Sequence, residues 1–181
     1  RSADLPIHRM ERILHRLQNL RFYDPIPIEG WEQRRAKYHL PDKYEYIDEQ
    51  WTKISPGDTW GGEDVTCFFH TSLTVPDSHR GEDAAVQIDL DGGEALLTIN
   101  GQAWQGLDWN RSIAPLFPLT QKDSKLTLEI EAFVINYPYD ARRKDERPFH
   151  LFRTARLLRI NRKLEGFLND ASLAVDAYRD L

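Results

Sequence analysis

Apolar residues recur at steps of three and four near both ends of this chain, and at steps of two through its middle. At the start, Ile7, Met10, Ile13, Leu14, Leu17 and Leu20 predict an amphipathic helix over residues 5–20, with Asp4 as its cap and Pro6 in the first turn. Between 22 and 64 the pattern is irregular. Pro25, Pro27, Pro41 and Pro56 interrupt it, and Trp31, Trp51 and Trp60 punctuate it, so an extended, ordered lead-in with few regular elements is expected. From Val65 to Asn136 the period becomes that of strands, bounded by turn residues at intervals of roughly 8 to 12 residues, which points to an antiparallel sandwich.

The expected strands are 65–74, 84–90, 95–99, 102–104, 111–116 and 125–134. In Leu126-Thr127-Leu128-Glu129-Ile130-Glu131 the alternation places three aliphatic residues on one face and three polar residues on the other, as in a half-buried strand. Asn100-Gly101, between two such runs, predicts a tight hairpin over 95–104, because a two-residue primed turn needs positive φ at both central positions. From 148 onward Leu151, Ala155, Leu158, Leu164, Phe167, Leu168, Ala171, Val175 and Tyr178 predict a second long helix. The expected organisation is therefore a helix and lead-in over 1–64, a mainly β sandwich over 65–147 and a closing helix over 148–181. Both helices carry apolar stripes that need a partner.

Composition places the chain among folded proteins: 181 residues, 40% hydrophobic and 11% aromatic. Cys67 is the only cysteine, so no intrachain disulfide or paired-cysteine metal knuckle can form, and a reducing, cytoplasmic compartment is expected. No run approaches the roughly 18 apolar residues that span a bilayer, and no membrane partner is expected. The chain opens at Arg1-Ser2 without a methionine or a signal segment, and a longer parent is expected.

Charge is uneven. Residues 142–163 hold nine Lys/Arg against Asp145 and Glu146, a local +7, so the remainder carries −12 of the overall −5. Arg153, Arg156, Arg159 and Arg162 recur at every third position beside apolar residues, as the solvated or docking flank of a helix would. Nucleic acid is not expected as a partner of this net-acidic chain, which carries no nucleic-acid-binding motif.

Catalytic motifs are missing. The six histidines, His8, His15, His39, His70, His79 and His150, show no metal-ligand spacing, and there is no nucleophile elbow or phosphate loop. Asp89, Asp91 and Glu94 sit together in Leu90-Asp91-Gly92-Gly93-Glu94, where two carboxylates could face a sugar ring; such residues are more often turn formers. No catalytic residue and no metal ligand is assigned. Trp104 and Trp109 bracket Gln105-Gly106-Leu107-Asp108 near the hairpin. Exposed indoles there would stack on a sugar while Asn100 or Asp108 bonded its hydroxyls; packing is the competing reading, for Trp31, Trp51 and Trp60 as well.

The run Trp60…Thr66-Cys67-Phe68-Phe69-His70-Thr71-Ser72-Leu73-Thr74-Val75-Pro76, then Arg80-Gly81, Gly92-Gly93-Glu94-Ala95, Ile99-Asn100-Gly101-Gln102 and Gln105-Gly106-Leu107, resembles the N-terminal domain of glycoside hydrolase family 38 α-mannosidases. Met10-Glu11-Arg12-Ile13 and Tyr23-Asp24-Pro25-Ile26-Pro27…Gly30-Trp31 resemble the stretch before it in bacterial members, so the likeness covers nearly the whole chain. Ser78-His79 stand where many members carry a tryptophan. The resemblance implies a jelly-roll, galactose-binding-like β-sandwich. It implies a parent that hydrolyses terminal α-linked mannose with retention, through zinc held by His and Asp residues and an aspartate nucleophile. Those motifs lie beyond the position matching Leu181, so none is carried onto a residue here and no cofactor is expected in this stretch. The implied role is that of an interdomain and subunit scaffold, with the catalytic domain, other subunits and carbohydrate as its partners.

Overall fold

The computed structural model describes residues 4–134 and 149–179. In chain order the elements are α1 (Asp4–Gln18), β1 (Phe22–Pro27), β2 (Glu32–His39), β3 (Lys43–Tyr46), β4 (Thr52–Lys53), β5 (Thr59–Gly61), β6 (Thr66–Thr74), β7 (Ala84–Asp89), β8 (Glu94–Ile99), β9 (Gln102–Leu107), β10 (Ile113–Pro115), the single-turn α2 (Leu119–Lys122), β11 (Lys125–Phe133), β12 (Phe149–Leu151), β13 (Thr154–Ile160) and α3 (Arg162–Arg179). They form two compact units, one of residues 26–157 and the other of 1–25 with 158–181. The cap at Asp4 and the cations Arg142, Arg143, Lys144 and Arg147 lie outside the described side chains.

The larger unit is an antiparallel β-sandwich. One sheet runs β3-β2-β6-β11-β8-β9, with β4 also on β2; another runs β1-β13-β7-β10, and β12 pairs with β5. β11 lies in the middle of the first sheet because its alternation is complete. Leu126, Leu128, Ile130 and Ala132 are buried and the residues between them are exposed. Its registers, Leu128 opposite Thr71 on β6 and opposite Ile99 on β8, put the apolar rows of three strands on one face. Val86, Ile88, Ala114, Ala155 and Leu157 of the other sheet meet that face, closing a single core with Trp31, Trp60 and Phe152.

The hairpin at Asn100-Gly101 forms as the sequence predicts: both residues have positive φ, 51° and 76°, and Ile99 pairs with Gln102. Two expectations fail. Residues 22–64 hold β1 to β5 rather than few regular elements, and the stretch from 148 enters β12 and β13 before any helix. On β13 both Leu157 and Leu158 are buried, so the apolar spacing never settles into period two and imitates helical spacing. The helix begins only after Asn161, whose Oδ1 accepts the Leu164 amide at 3.1 Å as an N-cap.

In the smaller unit α1 and α3 pair through Leu14 and Leu168, with Arg179 bonded to Glu11. Met10, Ile13, Phe167, Leu173 and Tyr178 stay exposed on these helices.

Asp91, Gly92 and Gly93 all have positive φ, at 62°, 126° and 74°. A Cβ on Gly93 would stand 2.6 Å from the Phe133 carbonyl oxygen and 3.2 Å from Trp60, whereas one on Gly101 would meet nothing within 4 Å. Gly93→Ala therefore combines backbone strain with a collision against main chain and should cost about 3 kcal/mol. Gly101→Ala carries the strain alone and should cost about 1 kcal/mol. Urea unfolding of both variants checks the order, and equal midpoints would refute it.

Candidate functional site

The residues singled out as a sugar site do not converge. Asn100 and Trp109 lie at opposite ends of the β8–β9 hairpin, separated by the six residues of β9, about 20 Å at strand rise. Asn100 is committed to the fold, because its Oδ1 accepts the Thr127 amide at 2.8 Å. Trp104 is the extra residue of a β-bulge: Leu97 pairs with Gln105 and Thr98 with Ala103. The bulge turns its indole against the core, where Nε1 donates to the Pro115 carbonyl at 2.8 Å. Asp108 closes a tight turn with Arg111, and its Oδ1 accepts the Asn110 amide at 2.7 Å. Trp109, at the tip of that turn, is 79% exposed.

The carboxylates at the other turn are likewise engaged. Asp89 accepts the Asp91 amide at 2.9 Å, and Asp91 pairs with Arg153 and accepts the Leu151 amide at 3.4 Å. Among the described residues no three His, Cys, Asp or Glu are grouped to hold a metal ion. Arg156 donates to Gln87 at 2.6 Å, Arg159 pairs with Asp24 at 3.4 Å and Arg162 with Glu165 at 2.9 Å. The expected basic helix flank is thus replaced by four arginines with neighbours of their own, Arg156 and Arg159 on β13 and Arg153 just before it. None of the described helices is long and apolar enough to cross a membrane.

A second cluster was not singled out in the sequence. On the outer face of the larger sheet Trp51 lies flat on His70, with ring centroids 4.0 Å apart and planes 9° apart. The His70 Nε2 and a Glu32 carboxylate oxygen are 2.8 Å apart. Beside them the Arg34 guanidinium sits 3.8 Å above the Tyr46 ring. Tyr44 crosses the same face to pack edge-on against Phe68 and donate to Glu131; burial, then that bond, raises its phenol well above the usual range. Only Trp51's place before the polar pair Thr52-Lys53 hinted at exposure, whereas Trp31 and Trp60 are buried.

The loop carrying Trp51 is held by Asp48. Its carboxylate accepts the Arg35 amide at 2.9 Å and the Arg35 guanidinium at 2.8 and 3.0 Å, and these bonds hold it below the usual carboxylate range. Arg34 donates to the carbonyls of Asp48 and Glu49 at 2.9 and 3.3 Å. Cys67, on β6 opposite Arg35, is fully buried, and burial pushes its thiol up to about 11, which leaves it unreactive.

Solved structures share the sandwich. An FMN-binding β-glucuronidase from Facaelibacterium prausnitzii L2-6 matches with a TM-score of 0.53 at 18% identity, over 75% of this chain and 22% of that one. A β-glucuronidase from Bacteroides uniformis matches with a TM-score of 0.55 at 18% identity, over 75% of this chain and 18% of that one. The chain thus spans about a fifth of the length of these glycosidases, and at this identity the likeness is one of fold. The family described as alpha-mannosidase, jelly roll domain, matches residues 25–151, more than half of the chain, and the chain belongs to that family. Among curated proteins none matches.

Because the Asp48 carboxylate is held low by its bonds to Arg35, its contribution is present above the unfolded carboxylate value near pH 4 and fades as pH falls through the lower folded value. Asp48→Asn should cost on the order of 1–2 kcal/mol at pH 7, discounted for the partial exposure of Arg35, and less at pH 3. Denaturant unfolding at the two pH values measures this; a gap that widens in acid would contradict it.

Proposed function

We propose that the chain acts as the non-catalytic N-terminal domain of an α-mannosidase that hydrolyses terminal α-linked mannose, and that it serves there as a scaffold for its own catalytic domain and for other subunits. Membership of the α-mannosidase jelly-roll family over 25–151 carries the reading. Two further observations support it. The turn carboxylates Asp89 and Asp108 are engaged by their own loops and Asp91 by Arg153 and Leu151, so these three are committed to the fold. Leu173, 68% exposed, and Phe167 on α3 present apolar surface of the kind that a neighbouring domain covers. Zinc and the nucleophile would belong to the catalytic domain. A cytoplasmic setting suits a chain whose one cysteine is a buried free thiol.

With zinc present, the 181-residue chain should release no nitrophenol from 4-nitrophenyl α-mannoside, while a polypeptide joining it to a mannosidase catalytic domain should do so. In that longer protein Leu173→Asp together with Phe167→Asp should lower the midpoint of thermal unfolding and the yield of active enzyme. Turnover by the chain alone, surviving chelation and replacement of Asp89, Asp91 and Glu94, would sink the proposal. So would a longer protein indifferent to the two α3 changes.

A further inference from the structure

We infer that the Trp51–His70–Glu32 cluster is a binding site for a neutral hexose oligosaccharide, separate from the role as scaffold and from the hairpin that carries Trp104 and Trp109. Sugar recognition needs a flat apolar plate for the C–H face of a pyranose, with hydrogen-bonding groups at the rim of the plate for its hydroxyls. Trp51 supplies the plate. One face of its indole is covered by the imidazole, yet the residue remains 36% exposed, so what is accessible is the opposite face and the edge. The half-exposed Glu32 carboxylate, bonded to His70, stands at the rim. Glu129, exposed and directly opposite His70 on β11, supplies a second acceptor on the same side of the sheet.

Rigidity argues for a ligand as well. An exposed tryptophan on a slack loop would lose much of its binding energy to ordering, and a pre-organised one does not. Residues 47–50 are held by the Asp48–Arg35 clasp, by the two carbonyls that Arg34 engages and by the Ile47 amide donating to the Arg35 carbonyl at 2.9 Å. Immediately after Trp51, β4 pairs with β2. Tyr46 enters the same loop, opposite Ala36, with one ring face against Arg34 and 47% of its surface exposed. Two rings, each backed on one face by a planar side chain, thus flank one pinned loop and offer stacking to successive sugar units. A neutral ligand suits a rim that sets the Glu32 and Glu129 carboxylates on the same face as the Arg34 guanidinium, a mixture that favours neither an anionic nor a cationic ligand.

The test uses the full chain, labelled with nitrogen-15, and follows its five indole N–H resonances during titration with mannotriose, maltotriose and cellotriose. At least one sugar should move the Trp51 resonance saturably and leave that of Trp109 still. Trp51→Ala should weaken binding about tenfold or more, with the resonances of Trp31, Trp60 and Trp104 in place as a check on folding. Glu129→Gln, at an exposed strand position, should weaken it severalfold and keeps the question open to test if Trp51→Ala does not fold. The inference is overturned if no sugar moves Trp51, if binding survives Trp51→Ala, or if the response is at Trp109. None of these results bears on whether the parent is a mannosidase, which the hydrolysis experiment decides on its own.

Discussion

A chain of four buried rings holds the sandwich closed: Trp31 against Phe152 at 5.7 Å, Phe152 against Phe69 at 6.0 Å, and Phe69 against Trp60 at 5.6 Å, mostly edge to face. These rings come from three separated stretches of the sequence, at residue 31, residues 60–69 and residue 152. Both indoles donate to main-chain carbonyls, Trp31 to Ile28 at 3.0 Å and Trp60 to Leu90 at 2.9 Å, so neither buries an unsatisfied N–H. Trp60 on β5 and Phe152 just after β12 thus both pack against Phe69 on β6.

That dependence explains which parts of the fold the sequence reveals. β11 is legible because it buries one face only, which period-two alternation records directly, and the β8–β9 hairpin because Asn100-Gly101 marks its turn. β2 is not. Its register sets Arg35 opposite Cys67, on the face that turns toward the core, and a guanidinium there is tolerated only because Asp48 lies thirteen residues on and answers it. Pattern reading scores Arg35 as exposed and loses the strand. β13 fails for a different reason. With Ala155, Leu157, Leu158 and Ile160 all buried, steps of two and three mix, and the run merges with the true helix after Asn161. The resemblance to α-mannosidases reached the right fold through these segments because a family likeness does not depend on local periodicity.

The candidate site was less legible, since what matters for an aromatic residue is which face remains uncovered. Trp104 and Trp109 look alike in sequence, five positions apart, yet a bulge sends the first against the core and a tight turn leaves the second exposed. Asn100 was legible as a turn residue and illegible as the acceptor for Thr127, a bond made across to a strand 27 residues away. Trp51 was read with Trp31 and Trp60 as packing. It differs because its covering partner, His70, lies on the outer face of β6, a parity that depends on the register of β2 with β6.

Turns and chemistry compete for the same atoms in a sandwich of this kind. A carboxylate that accepts an amide two residues on, as Asp108 and Asp89 do, has an oxygen committed to its own backbone and sits where the loop needs it rather than where a reacting bond would. An aromatic ring is under no such demand: once one face is packed, the other can be exposed without leaving a polar group unpaired. Here the exposed rings Trp51 and Tyr46 border one loop tied by a clasp of two arginines on one aspartate. In this sandwich the turn carboxylates Asp89 and Asp108 serve the backbone, and the Asp48 clasp serves the loop that Tyr46 enters and Trp51 leaves.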